Sequence, residues 1–247
     1  MFKIIFFLWR ADHLTPQAFA DYYETIHAPL GIGLSPPMRD YRRNFPRWTD
    51  STRSALGGFD VMTEIWHDRR SIFEDQLKIM TTTSARDIIA ADEEKFIDRS
   101  RQLFVTVDEQ PILDPLASSE AARSVRKYLR FTQKPDGVTL RDFQAQCETA
   151  TQSVRADTGL IGFRRNHPLY HDEFSFSGGH HNMTAPEEGS RFFDLLDELW
   201  FDTQACLEGT PSLSSTTLPG SECQTIEVLE RRSPGGILSA PVASFPI

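Results

Sequence analysis

The 247 residues include 39% hydrophobic and 25% charged side chains, an ordinary balance for a globular chain long enough to bury one large core or two small ones. A net charge of −9 argues against a nucleic-acid partner, which needs clustered Lys and Arg to meet phosphates. Cys147, Cys206 and Cys223 are odd in number and lack metal-ligand spacing, so they read as reduced thiols of a cytoplasmic chain and not as a disulfide framework.

The apolar run Phe2–Trp9 is broken by Arg10 and Asp12 and is too short to span a bilayer, so it reads as a buried strand and not as a leader. A helix is expected over 16–28. Thr15 can cap its first turn, Pro16 suits the first helical position, and Phe19, Tyr22, Tyr23 and Ile26 recur at helical spacing as one apolar face. Pro29 should stop this helix and leave His27 in the last turn, where the dipole favours imidazolium. Strands are expected at 38–45 and 58–66, helices around 69–79 and 84–98, and a strand at 101–108. The second part of the chain carries expected strands near 125–132, 160–167, 192–200 and 223–230, with helices near 140–156 and 202–209.

This second series repeats the first. Thr15-Pro-Gln-Ala-Phe19 returns as Thr139-Leu-Arg-Asp-Phe143, Tyr41-Arg-Arg-Asn as Phe163-Arg-Arg-Asn, and Phe59-Asp-Val-Met-Thr-Glu-Ile-Trp66 as Phe193-Asp-Leu-Leu-Asp-Glu-Leu-Trp200. Blocks recurring in one order indicate a tandem duplication. The expected organisation is a first repeat over 1–110, a linker over 111–122, a diverged second repeat over 123–232 and a Pro- and Gly-containing tail over 233–247. Each copy reads as a βαββαβ unit of the ferredoxin-like kind, with helices on one face of its sheet. The other face is too apolar for water, so the class is α+β, with two units packed sheet to sheet around a barrel-like cavity within one chain.

The Thr-Pro-x-x-Phe-x-x-Tyr-Tyr-x-x-x-His-Ala-Pro-Leu block, the Tyr-Arg-Arg-Asn strand and the Phe-Asp-x-x-x-Glu-x-Trp strand resemble the EthD-like family of dimeric α+β barrels, densely over 3–108 and more thinly over 125–230. That resemblance implies the fold. It leaves the chemistry open among polyketide cyclases, dehydratases, isomerases, cofactor-free monooxygenases and proteins of no known activity.

Alternation on the 58–66 strand places Phe59, Val61 and Ile65 on a helix-covered face and Asp60, Met62, Glu64 and Trp66 towards the cavity, with Asp194, Leu196, Glu198 and Trp200 as counterparts. Carboxyls in an apolar cavity suit acid–base work, unless Arg42, Arg43, Arg164 or Arg165 pairs with them structurally. His27 has no histidine counterpart, since Thr151 stands there. Tyr128 and Arg130 replace Ile4 and Phe6, and with Ile5 and Phe7 under the helices they would project into the cavity. His167, His171, His180 and His181 could ligate a metal, but their long loop reads better as a lid.

The expected function is therefore cofactor-free acid–base chemistry, a dehydration or cyclisation, on a hydrophobic aromatic or polyketide-like molecule. His27, Glu64 and Asp60 would be catalytic; Tyr23, Tyr41, Trp66, Tyr128, Arg130, His167, Glu198 and Trp200 would hold substrate. No metal, cofactor or membrane partner is expected, and the chain would be a monomer or homodimer. Cofactor-independent oxygenation and ligand carriage are the other two readings.

Overall fold

A computed structural model describes residues 1–113, 125–154, 159–169, 193–202 and 220–233. Strand β1 (Phe2–Leu8) leads to α1 (Pro16–Tyr22), a π-helical turn (Tyr23–His27) and α2 (Ala28–Leu34). Then follow β2 (Asp40–Arg47), α3 (Asp50–Ala55), β3 (Val61–His67), α4 (Arg70–Thr82), α5 (Ser84–Glu93), a 3₁₀ turn (Arg99–Arg101) and β4 (Leu103–Leu113). The second half has β5 (Val125–Gln133), α6 (Leu140–Val154), β6 (Leu160–Pro168), β7 (Leu195–Asp202) and β8 (Glu222–Arg232). No helix among the described residues is long and apolar enough to cross a membrane.

All eight strands join in one closed barrel in the order β1-β3-β2-β8-β5-β7-β6-β4. Within each half the order is last, first, third, second, and the pairings β2–β8 and β4–β6 join the halves. Strand register is equivalent in the two halves at the central glutamates. Ile5 faces Glu64 and Arg42 faces Glu64 in the first half; Leu129 faces Glu198 and Arg164 faces Glu198 in the second. Closure through hydrogen-bonded edges, not merely by stacking two sheets, removes the exposed strand edges that would otherwise recruit other chains. The helix expected at 202–209 falls almost wholly outside the described residues, and β7 continues through Asp202. Strand β4 likewise runs on to Leu113, past the expected start of the linker.

Helix starts follow their caps. Thr15 accepts a hydrogen bond from the Ala18 amide at 3.1 Å, and Thr139 does the same for Asp142 at 3.1 Å. Contrary to the expectation, Pro29 does not end the first helix; the helical path continues to Leu34. The turn before it widens, with the Ala28 amide bonded to the Tyr23 carbonyl five residues back. Such a π turn accommodates a residue that has no amide hydrogen and would crowd the preceding turn. It also shifts the buried face: Phe19, Tyr23 and His27 point inward, while Ile26 is exposed. Helix α3 has no counterpart among the expected elements. It starts at a reciprocal Thr49/Thr52 cap and ends at Gly57 and Gly58, whose φ of 65° and 62° reverse the chain into β3.

The barrel lumen is filled. Ile5, Phe7, Met62, Val105, Val107, Leu129, Phe131, Leu196, Ile226 and Val228 belong to one apolar core there. Beside them lies a buried charge cluster. Lys3 approaches Glu64 at 2.6 Å, Glu109 at 2.8 Å and also Glu198; Lys127 lies 3.0 Å from Glu64, 2.7 Å from Glu198 and 2.7 Å from Glu230. Each half thus sends its first-strand lysine to the other half's glutamate as well as its own.

Candidate active site in the first half

The first candidate site from the sequence, around Glu64, is structural. Met62, Glu64 and Trp66 do face inward, as alternation indicates, but into a packed lumen. Glu64 accepts from Asn44 at 2.8 Å, and its mirror Glu198 accepts from Asn166 at 3.0 Å. Burial and the neighbouring Glu198 push the Glu64 carboxyl up; for Glu198 burial acts the same way, yet Lys127 and Lys3 hold it well below the usual carboxylate range. Trp66 donates to Glu109 at 3.2 Å beneath the Lys3 ammonium, 4.4 Å from its ring, and Lys127 lies 4.8 Å from the ring of Trp200. Glu64, Glu198 and Glu230 come within 4.8 Å of one another, a spacing a cation would suit. The Lys127 ammonium is that cation.

Asp60 is also structural. It accepts from the Arg10 amide at 2.9 Å and from the Arg10 guanidinium at 3.2 Å, fixing the end of β1. Asp194 does the equivalent for the Lys134 amide at 2.9 Å. Neither Glu64 nor Asp60 orients His27.

Tyr128 and Arg130 point the other way from their expected direction. Lys127, Leu129 and Phe131 take the lumen, so Tyr128 and Arg130 lie on the α6 side, where Tyr128 meets Phe201 edge-on at 5.7 Å. The reason is that the apolar face common to both first strands packs the lumen, not the underside of the helices. Arg130 bonds Asp197, which Arg165 also grips at 2.9 Å. His167 is buried near them, its imidazole pushed down in pKa by burial and by Arg165. The other three histidines of that cluster lie outside the described residues.

A cavity of about 130 Å³ lies instead between the first half's strands and its helices. Phe6 and Leu8 of β1, Ile65 of β3, Phe73 of α4 and Ile89 of α5 make apolar walls, and His27, Glu93, Tyr23, Tyr41 and Thr63 supply polar groups. The π turn aims His27 here. Its Nδ1 lies 2.9 Å from Asp92 Oδ2, and the ring sits 4.8 Å from Phe96 and 5.0 Å from Tyr23. Asp92 also accepts from the Tyr22 hydroxyl at 2.7 Å. Burial alone would raise this carboxyl, but the bonds from His27 and Tyr22 hold it below its ordinary value. Burial and Asp92 together push the Tyr22 phenol up to about 12.

With Nδ1–H committed to an ionised carboxylate, the imidazole tautomer is fixed and Nε2 is the nitrogen left for a ligand. Among the described residues Nε2 has no hydrogen bond. On the floor, the Tyr23 hydroxyl lies 2.8 Å from Thr63 Oγ1 and 3.0 Å from the Tyr41 hydroxyl. Burial pushes both phenols up in pKa, so they stay protonated donors. Arg43 lies 4.8 Å from the Tyr41 ring and pairs with Glu24 at 2.8 Å.

His27, Tyr23 and Tyr41 are therefore brought together as a site. Asp92 and Glu93 were missed: a pairing 65 positions apart leaves no local signal, and both read as ordinary helix-surface acids. In the second half the register puts Arg130 where Phe6 stands, Asp197 at Thr63 and Phe163 at Tyr41, while Cys147 stands at the sequence position that repeats Tyr23. Arg130 and Asp197 of its ion triad thus occupy positions that line the cavity in the first half.

Residues 11–100 match the EthD domain. That match lies wholly within the first half, the half that holds the cavity and His27. No curated protein matches the sequence. Among solved structures, an anthrone oxidase-like protein superposes with a TM-score of 0.56 at 10% identity, covering 97% of this chain and 96% of that one, which shows a shared fold. A candidate monooxygenase from Fusobacterium nucleatum (TM-score 0.49, 12% identity, 95% and 94% covered) and a candidate chlorite dismutase (0.46, 8%, 92% and 94%) are more distant.

Proposed function

We propose that the EthD half is the active half of a small-molecule enzyme working by proton transfer, with His27 as general base. The carrying observation is the Nδ1–Asp92 contact of 2.9 Å at the wall of a mainly apolar cavity. Asp92 orients the ring and stabilises the imidazolium formed when Nε2 takes a proton, a role worth about 10²–10⁴ in rate. Tyr41, backed by Tyr23 and Thr63, donates to the substrate oxygen on which charge develops. The apolar walls lower the local dielectric and strengthen each of these interactions.

Cavity size refines the substrate. About 130 Å³ is close to the ~150 Å³ cavity that admits benzene, so the occupant is a single-ring aromatic or similar enolisable molecule and not a fused polyketide. The first reaction class is dehydration or isomerisation, which uses only these side chains. The fold shared with an anthrone oxidase-like protein favours a second class, in which the same proton removal makes a carbanion or phenolate that reacts directly with dioxygen. The scaffold reads as two ferredoxin-like units, about 1–110 and 123–232, and Cys147 and Cys223 as thiols suit a cytoplasmic setting.

The test is a mass-spectrometric turnover screen against phenols, β-diketones and hydroxylated aromatic ketones, run with and without air. An isomer or a product lighter by one water, lost in His27→Gln, supports the first class. Oxygen gained only in air supports the second. Ligand bound unchanged across the panel, or full turnover in His27→Gln, refutes the catalytic role of His27.

A further inference from the structure

Removing a proton is half of a dehydration or enolisation; a second group must supply one. Among the described groups lining the cavity, Tyr23 and Tyr41 are held protonated by burial, and Thr63, Ser35 and Gln76 do not exchange protons near neutral pH. Asp92 is committed as a carboxylate to His27 and Tyr22. Glu93 remains. It follows Asp92 at the end of α5, lines the same cavity as His27, and is 7% exposed.

We propose that Glu93 is the acid of this cavity, giving a proton to the substrate as His27 removes one. The inference rests on the His27 reading above. Facing Glu93 are His27, its helix neighbour Asp92, Gln102, and Arg99, whose Nε lies 3.6 Å from Oε2. Burial pushes the carboxyl up against the opposing pull of His27, Arg99 and Gln102. In enolisation, the C–H electron pair becomes the new C=C bond while His27 takes the proton. The carbonyl π pair moves onto oxygen, which takes the proton from Glu93. In dehydration, the C–O pair leaves with the hydroxyl and Glu93 protonates it to water. Both steps balance without an oxidant, and one proton passed from imidazolium to carboxylate resets the pair.

Acetophenone is a one-ring probe of this chemistry, and its methyl hydrogens exchange with deuterium only through the enol. Exchange would be followed by mass spectrometry in D₂O from pH 5 to 10 for wild type, Glu93→Gln, Glu93→Asp and His27→Gln, each checked for folding by circular dichroism. Glu93 gives up its proton in the step and holds it less as pH rises, so the wild-type rate should show a descending limb at high pH. Glu93→Gln should lose about 10²-fold or more and its descending limb. Glu93→Asp should restore part of both, which a merely structural carboxyl would not do. A Glu93→Gln profile within twofold of wild type, with the descending limb intact, overturns the proposal and leaves His27 standing. Wild-type exchange in His27→Gln overturns the reading of His27, while Glu93 is still judged by its own limb. No exchange above buffer by wild type overturns both.

Discussion

Replacing Lys127 with Met removes the cation that lies 3.0 Å from Glu64, 2.7 Å from Glu198 and 2.7 Å from Glu230. In the lumen cluster, Lys3, Lys127, Arg42 and Arg164 face Glu64, Glu109, Glu198 and Glu230, four charges of each sign. Methionine has the length to fill the space but leaves three cations for four carboxylates, in a site from which water is excluded. An uncompensated buried charge of this kind costs about 3–5 kcal/mol. At roughly 2–4 °C per kcal/mol for a chain of this size, the melting temperature should fall by about 6–20 °C. The loss should depend on pH with a defined sign. A carboxyl whose folded pKa is raised weakens the fold as pH climbs through that value, and Glu64 is already raised. The gap between wild type and variant should therefore narrow as pH falls from 8 to 5. Adding Glu64→Gln restores three against three and should recover more than half of the loss. Urea unfolding at three pH values reads all of this. A cost under about 1 kcal/mol, with no pH dependence, would mean that water screens the cluster and the reasoning is wrong.

Asp92→Asn keeps the shape of the dyad but allows the wrong imidazole tautomer, so turnover of any substrate found in the screen should drop at least 10²-fold while its binding changes little. The Asp197 carboxyl, although burial opposes it, is held low by Arg130 and Arg165, so its contribution to stability is complete above the ordinary carboxylate pKa of about 3.9 and is lost as pH falls below it. Asp197→Asn should cost about 3–5 kcal/mol at pH 7, read by urea unfolding, and should erase that part of the acid transition. Burial pushes the Cys147 thiol up to about 11, with Arg165 opposing, so iodoacetamide at pH 8 should leave it unmodified in the folded chain and alkylate it in urea.

Much of this protein was written in local pattern. Period-two alternation separates Val61 and Ile65 from Met62, Glu64 and Trp66, and the structure keeps those two faces apart. Repeated blocks in one order dictated two equivalent halves, because strand register carries each repeated residue to an equivalent pairing. Thr15, Pro16 and the Phe19–Tyr23 spacing determined a capped helix, but the π turn and not the spacing put His27 on its buried face in place of Ile26. What alternation cannot decide is which face packs a lumen and which leaves a cavity, since both are apolar. That choice came from closure of the barrel, which fills its interior with Ile5, Phe7, Leu129 and Phe131 and leaves the space beneath the first half's helices partly open. Nor does any local pattern bring Lys3 to Glu198, 195 positions away, or Asp92 to His27, 65 away. These contacts exist only because two halves close on each other and α5 packs across the π turn, so the partners of these buried charges were decided by tertiary structure.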